Sequence, residues 1–195
     1  MFQIDQRGDC CWPKELKPIG EGSFDKESFS DWWKRKRSRL PNLPADLCEQ
    51  WIHRHWTNSP FTFLPLDSLA VKRQRWEGEF LLKSVYRAFG GELAVEFDYD
   101  TFQRSGGDNR HQTAKALDSG TWDYPMVLLS TPAGTIDWKT PLPDVRFVIV
   151  EGHQRHRYLN ALHGLGKAPL GPHEVLILSS PITKIDANQS SSTDP

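Results

Sequence analysis

Val145-Arg146-Phe147-Val148-Ile149-Val150-Glu151-Gly152-His153-Gln154-Arg155-His156-Arg157-Tyr158-Leu159-Asn160-Ala161-Leu162-His163-Gly164-Leu165-Gly166 begins as an apolar run, meets a glycine and continues as a polar, periodic segment. The pattern predicts a strand over 145–150 and a helix over 153–163 that ends on Gly164. A glycine between the two lets backbone approach a ligand closely, and the first N–H groups of the helix have no partner within it. Arg155 and Arg157 add fork-shaped donors suited to phosphate, while His153 and His156 donate when charged or shuttle a proton. Gly152, His153, Gln154, Arg155 and Arg157 are therefore a candidate phosphate grip, with Glu151 beside it as a general base or metal contact. A solvated helix face with surface cations has the same composition, and residue chemistry alone leaves both readings open.

Outward from this unit, Glu174-Val175-Leu176-Ile177-Leu178 reads as a closing strand and Tyr124 to Ser130 as an earlier one, followed by a Pro132-Ala133-Gly134 turn. Asp108 or Asn109 can cap a helix running to Leu117 and stopping near Gly120. Glu92 to Asp98 alternates as a half-buried strand does, Trp76 to Phe89 reads as an amphipathic helix stopped by Gly90-Gly91, and Phe61-Thr62-Phe63-Leu64 as a short strand. A helix is expected over Asp25 to Arg39, and another starts after Pro41 and Pro44, with Leu47, Trp51 and His55 at i, i+4 spacing. Residues 1 to about 22, punctuated by Pro13, Pro18, Gly20 and Gly22, read as a loosely packed arm, and the Ser-rich tail from Asn188 as disordered. The class is α/β (α+β) with a small mixed sheet: a helical, aromatic and basic N-terminal extension over 1–59, a core domain over 60–180 and a tail over 181–195.

The 195 residues carry a net charge of −1, so a nucleic-acid or membrane partner must be argued from local clusters. Eight tryptophans and ten phenylalanines indicate heavy aromatic packing. Cys10, Cys11 and Cys48 lack a metal-ligand spacing and read as reduced thiols. No apolar run has the length of a membrane span and the N-terminus lacks a signal-peptide pattern, so a cytoplasmic chain without membrane insertion is expected.

Gly152-His153-Gln154-Arg155-His156-Arg157, preceded by Val148-Ile149-Val150-Glu151 and followed by Ala161-Leu162-His163-Gly164, resembles the G-[EH]-x-R-x-R helix start of the ParB/sulfiredoxin-like superfamily. The order of the neighbouring segments is similar too, from the helix ending at Leu117, through Tyr124-Pro125-Met126-Val127-Leu128-Leu129 and a hairpin-like excursion, to His173-Glu174-Val175-Leu176-Ile177-Leu178. The resemblance spans roughly residues 60 to 180. It implies a nucleotide-binding fold in which Gly152, His153, Arg155 and Arg157 hold a triphosphate, ATP or another nucleoside triphosphate, with Mg²⁺ as its companion. Sulfiredoxins place a nucleophilic cysteine between the motif glycine and histidine. Here His153 follows Gly152 directly, which argues against sulfinic-acid reduction. Gln154 stands where an arginine is often found, which argues against tight CTP-type binding. Partitioning members continue into helix-turn-helix and dimerisation domains, whereas this sequence stops soon after Leu178, so a partitioning clamp is not expected. The stand-alone branch fits the size, and it includes oncogenic-suppression (Osa-type) fertility-inhibition proteins of conjugative plasmids that hydrolyse ATP and cleave DNA.

Two further clusters bear on function. Trp32-Trp33-Lys34-Arg35-Lys36-Arg37-Ser38-Arg39 and Lys72-Arg73-Gln74-Arg75-Trp76 interleave cations with aromatics, as single-strand nucleic-acid surfaces do, and Lys34, Arg35, Arg37, Arg73 and Arg75 are the candidate DNA contacts. The commoner origin of such runs is a solvated helix end with its tryptophans packed inward. Glu96, Asp98 and Asp100 would share one face of the expected strand and could converge on Mg²⁺, as a metal-dependent nuclease requires; solvated strand-end carboxylates are the plainer alternative. His53 and His55 flank Arg54 at i, i+2 on a helix and do not share a face, so no metal site is expected there. The leading expectation is a nucleotide-binding protein that hydrolyses ATP, cleaves DNA, or both. The alternatives are a non-catalytic inhibitor or adaptor docked on a protein partner in a transfer or secretion complex, and a DNA-binding regulator.

Overall fold

The computed structural model describes residues 1–6, 12–20, 25–104, 112–169 and 171–181. Cys10, Cys11, Gly22, the expected caps Asp108 and Asn109, and the Ser-rich tail lie outside them. The described residues form six α-helices and two mixed sheets, which places the chain in the mixed α/β class. No helix among them is long and apolar enough to cross a membrane.

The strands are β1 (Phe2–Gln3), β2 (Ala70–Trp76), β3 (Val85–Tyr86), β4 (Met126–Ser130), β5 (Thr135–Asp137), β6 (Thr140–Leu142), β7 (Phe147–Glu151) and β8 (His173–Ser179). The helices are α1 (Phe29–Lys36), α2 (Ala45–Leu47), α3 (Gly78–Ser84), α4 (Val95–Arg104), α5 (Gln112–Asp118) and α6 (His153–Gly164). The larger sheet has the order β2-β8-β4-β7-β3, and the smaller one β1-β5-β6. Because β4 runs antiparallel to β7 and parallel to β8, the unit β7-α6-β8 joins two oppositely directed strands around β4 rather than making a parallel crossover.

The period-two rule explains how this sheet is covered. Val127, Leu129, Val148, Val150, Leu176 and Leu178 face a core built with Ile4, Trp12, Leu16, Trp32, Leu47, Trp51, Phe61 and Phe63. Met126, Leu128, Ile149, Val175 and Ile177 face a second core with Leu81, Phe102, Leu117, Tyr158 and Leu162. Both faces are thus dry, which is why the three central strands read as apolar runs rather than alternations.

Several sequence expectations change. The first segment is not loosely packed where it is described: Phe2, Ile4, Trp12 and Leu16 are buried, and β1 pairs with β5. These apolar side chains outweigh the nearby proline and glycine punctuation because one whole sheet face has to be covered. Phe61–Leu64 is a turn segment, enclosed on all sides, with Phe61 edge-on to Phe89 at 5.5 Å. The expected helix over 76–89 is only α3, which runs into β3; its leading part belongs to β2, an edge strand blunted by Lys72, Arg73 and Arg75. The expected strand over 92–98 is the start of α4. Its alternation misled because Phe97 lies 68% exposed, while Asp98 and Phe102, one helical turn apart, point inward.

Candidate functional site

β7 ends against β4 at a register shift, where Val127 opposes Glu151 and Leu128 opposes Ile149, so that Val150 is bulged. A bulge re-aims a strand end. Gly152 then turns the chain with φ 107° and ψ 19°, a left-handed conformation that favours glycine, and a Cβ there would lie 3.0 Å from Met126 Cγ. The first bond of the α6 ladder is His156 N–H to the Gly152 carbonyl, so the N–H groups of His153, Gln154 and Arg155 precede the ladder.

A cleft of about 630 Å³ opens at this junction. Glu151, His153, Gln154 and Arg155 form its floor, with Asp123 and Tyr124 ahead of β4 and Gln112 and Thr113 of α5 to one side. The opposite wall is Trp51, Arg54, His55, Asn58, Ser59 and Pro60, and Phe89 closes one end. That wall exists because the helix begun at Pro44 widens into a π-helix over Cys48–His53, with Arg54 N–H bonded to the Glu49 carbonyl. Such bulges commonly mark functional sites. The wider turn sends His53 inward to the Glu27 carbonyl at 3.0 Å and leaves Trp51, Arg54 and His55 on the cleft. Lys26 Nζ donates to the carbonyls of His53 and Arg54 at 3.1 and 3.0 Å, and Trp51 Nε1 donates to Ser59 Oγ at 2.9 Å, fixing the wall.

The polar groups converge on Glu151. His55 Nε2 lies 3.4 Å from Glu151 Oε2, while its Nδ1 faces Asn58 Oδ1 at 3.2 Å. Arg155 Nη1 lies 3.7 Å from Glu151 Oε1, and Arg155 Nε donates to Asp123 Oδ1 at 3.2 Å. Arg54 and Arg155 both lie near the Tyr124 ring, at 6.0 and 5.8 Å from its centroid. Burial, and then the hydrogen bond with Glu49, push the Tyr124 hydroxyl up from its usual pKa.

The expected phosphate grip is only partly assembled. His153, Gln154 and Arg155 line the cleft while Gly152 only turns the chain between Glu151 and His153, and the Arg155 side chain is 4% exposed and already shared by two carboxylates. Arg157 does not line the cleft: its guanidinium is bonded to the buried Asp98 of α4, with Nη1 also donating to the Gly91 carbonyl at 3.3 Å. His153 is pushed down to about 4 by burial, then by Arg87 and His55, so it is neutral at pH 7 and does not act as a cation. Arg54 and His55 were missed because neither belongs to the glycine motif, although their i+3 and i+4 spacing from Trp51 puts all three on one side of a helix.

The acidic trio does not form the expected face. On α4, Glu96 is exposed, Asp98 is held by Arg157, and no group of three potential metal ligands occurs among the described residues. The basic runs are locally compensated. Lys34 pairs with Asp31, Arg35 with Glu27, Arg73 with Asp46 and Glu174, and Arg75 with Glu174, while Arg37 is exposed and Trp32 is buried in the core. None of the five candidate DNA contacts lines the cleft. Cys48 is buried, and its thiol is pushed up to about 12, which makes it inert.

No protein-family model, curated protein or solved structure matches this chain.

Proposed function

We propose that this chain is a nucleotide-binding protein of the ParB/sulfiredoxin-like type that hydrolyses ATP in the cleft at Gly152. The observation that carries the reading is the cleft itself, which combines the free helix start, the exposed cation Arg54, the His55–Glu151 pair and the aromatic walls of Trp51, Phe89 and Tyr124. Its volume falls within the usual range for small-molecule sites. The aromatic side suits a base, and the α6 N–H groups with Arg54 suit phosphates. ATP is preferred to a DNA backbone as the phosphate ester because four of the five cations expected to hold a polynucleotide are paired with neighbouring carboxylates and all five lie off the cleft.

In this reading Glu151 accepts a proton from the attacking water as its oxygen bonds to the terminal phosphorus. The bond to the bridging oxygen breaks, and His55 passes a proton to that oxygen. Asn58 holds the His55 ring by its other nitrogen. Arg155 orients Glu151, and Asp123 in turn orients Arg155. Mg²⁺ would be held mainly by phosphate oxygens, since the described residues offer no protein cage for it and Glu151 is the nearest carboxylate to the helix start. Bound there, it would offset charge on the phosphates.

Phosphate release from ATP by the purified chain tests the reaction. Glu151→Gln is expected to lower turnover by about 10²–10⁴ while ATP binding persists. Saturable binding with no turnover in the wild type would remove the hydrolytic step and favour a nucleotide-regulated adaptor.

A further inference from the structure

Asp123 and Tyr124 are consecutive, and both engage arginines at the cleft by different means. Asp123 takes Arg155 through its carboxylate, with Nε donating to Oδ1 at 3.2 Å. Tyr124 meets two guanidiniums with its ring: Arg54 Cζ lies 6.0 Å and Arg155 Cζ 5.8 Å from its centroid, within the range of a cation–π contact. Pro125 follows, and a residue before proline is confined to extended backbone, which fixes where Tyr124 enters β4. The other two aromatic walls are packed on aromatic neighbours instead. Trp51 stands edge-on to Trp12 at 5.2 Å, and Phe89 edge-on to Phe61 at 5.5 Å.

Arg54 is the cation that depends on such a seat. It is exposed, and among the described residues no carboxylate forms an ion pair with it. Its backbone is held, since its N–H donates to the Glu49 carbonyl at 3.2 Å and its own carbonyl accepts from Lys26 Nζ at 3.0 Å. Its long side chain is held by the Tyr124 ring. The Tyr124 hydroxyl faces the Glu49 carboxylate, so ring and guanidinium are tied to the same turn of the wall. The phenol registers this company: burial and then Glu49 raise its pKa, while Arg54 acts in the opposite direction. Ordering a free arginine costs more rotamer freedom than ordering most side chains, and a guanidinium set beforehand spares that cost when an anion binds.

We propose that Tyr124 is a positioning residue for the ligand's phosphates, its ring holding the Arg54 guanidinium at the cleft. The proposal rests on the nucleotide reading and deepens it: the triphosphate lies on the Tyr124 side, and the base is left to the other aromatic walls.

The test is calorimetric titration of the full chain with ATP and with inorganic tripolyphosphate, which has no base. Wild type is compared with Tyr124→Leu, Tyr124→Phe, Arg54→Ala and the Arg54→Ala/Tyr124→Leu double variant. Tyr124→Leu is expected to weaken both ligands by about three- to thirtyfold, and by the same factor for each. Tyr124→Phe, which keeps the ring, is expected to recover most of that loss. In the Arg54→Ala background Tyr124→Leu is expected to change affinity by less than about twofold, because the two side chains act as one unit. Losses that multiply in the double variant would overturn the proposal. So would a loss confined to ATP, which would make Tyr124 a contact of the base. A second measurement needs no ligand: the Arg54 Nε–H signal, followed by ¹⁵N NMR and assigned with Arg54→Lys, is expected to move in Tyr124→Leu and much less in Tyr124→Phe. An unmoved signal in a folded Tyr124→Leu, with ATP still bound by the wild type, would sink this proposal and leave the nucleotide reading intact. A wild type that binds neither ATP nor tripolyphosphate would remove the nucleotide reading and this role with it, even if the Arg54 signal moved.

Discussion

Gly152 is constrained twice, by a backbone φ of 107° and by Met126 packed where a Cβ would lie. Gly152→Ala is therefore expected to cost about 1–3 kcal/mol of stability, measured by urea unfolding, even before any ligand is considered. An unchanged midpoint would mean that the turn relaxes without strain. His153 and His156 make a second residue-scale prediction. Both are pushed down to about 4 from an ordinary value near 6.5, so the unfolded chain takes up protons first as the solution is acidified. Their contribution is complete above pH 6.5 and declines between 6.5 and 4, by up to about 1.4 kcal/mol per pH step for each histidine. His53 and His173, also lowered by burial, act in the same direction. Unfolding at several pH values should show a shallower acid slope in His156→Gln than in wild type, and identical slopes would contradict this. The glycine and its floor residues were legible in the sequence because they are contiguous. The fate of the two arginines was not, because it depends on Asp123 and Asp98, which lie far away along the chain.

The elements around that motif were legible for the same reason. β4, β7, α6 and β8 have apolar runs or helical periodicity ended by glycine, and the structure places them within a few residues of expectation. α4 and β2 were not legible, since one shows a false alternation and the other is a charged edge. The widening of α2 into a π-helix had no sequence signal, yet it builds the far wall of the cleft. α4 is held to α6 by Asp98, which is 2% exposed, bonded to Arg157, and accepts the Ala94 N–H at 3.1 Å ahead of the helix. Asp98→Ala would leave Arg157 beside Arg87 without its carboxylate. A loss of about 3–5 kcal/mol is expected from thermal or urea unfolding. A loss below about 1 kcal/mol would show that the pair is solvated rather than buried.

At the scale of the whole fold, the described residues before Pro60 share one core with β4, β7 and β8. Trp12, Trp32, Leu47 and Trp51 cover the face formed by Val127, Leu129, Val148, Val150, Leu176 and Leu178. A fragment of residues 60–180, the span of the motif resemblance, would expose that face. It is expected to lack near-UV circular dichroism and to bind a hydrophobic dye, whereas a cooperative unfolding transition in the fragment would show that it folds alone. The same arrangement explains why the cleft needs both halves: its floor comes from β7 and α6, and Arg54 and His55 come from the covering layer. The most direct measurement is calorimetric titration of ATP into the full chain and into Arg54→Ala, with Lys83→Ala, an exposed α3 cation, as control. Single-site saturable binding is predicted, weakened about ten- to a hundredfold by Arg54→Ala and changed less than about twofold by Lys83→Ala. No saturable binding in the wild type, or an equal effect of the two substitutions, would contradict a nucleotide site at Gly152.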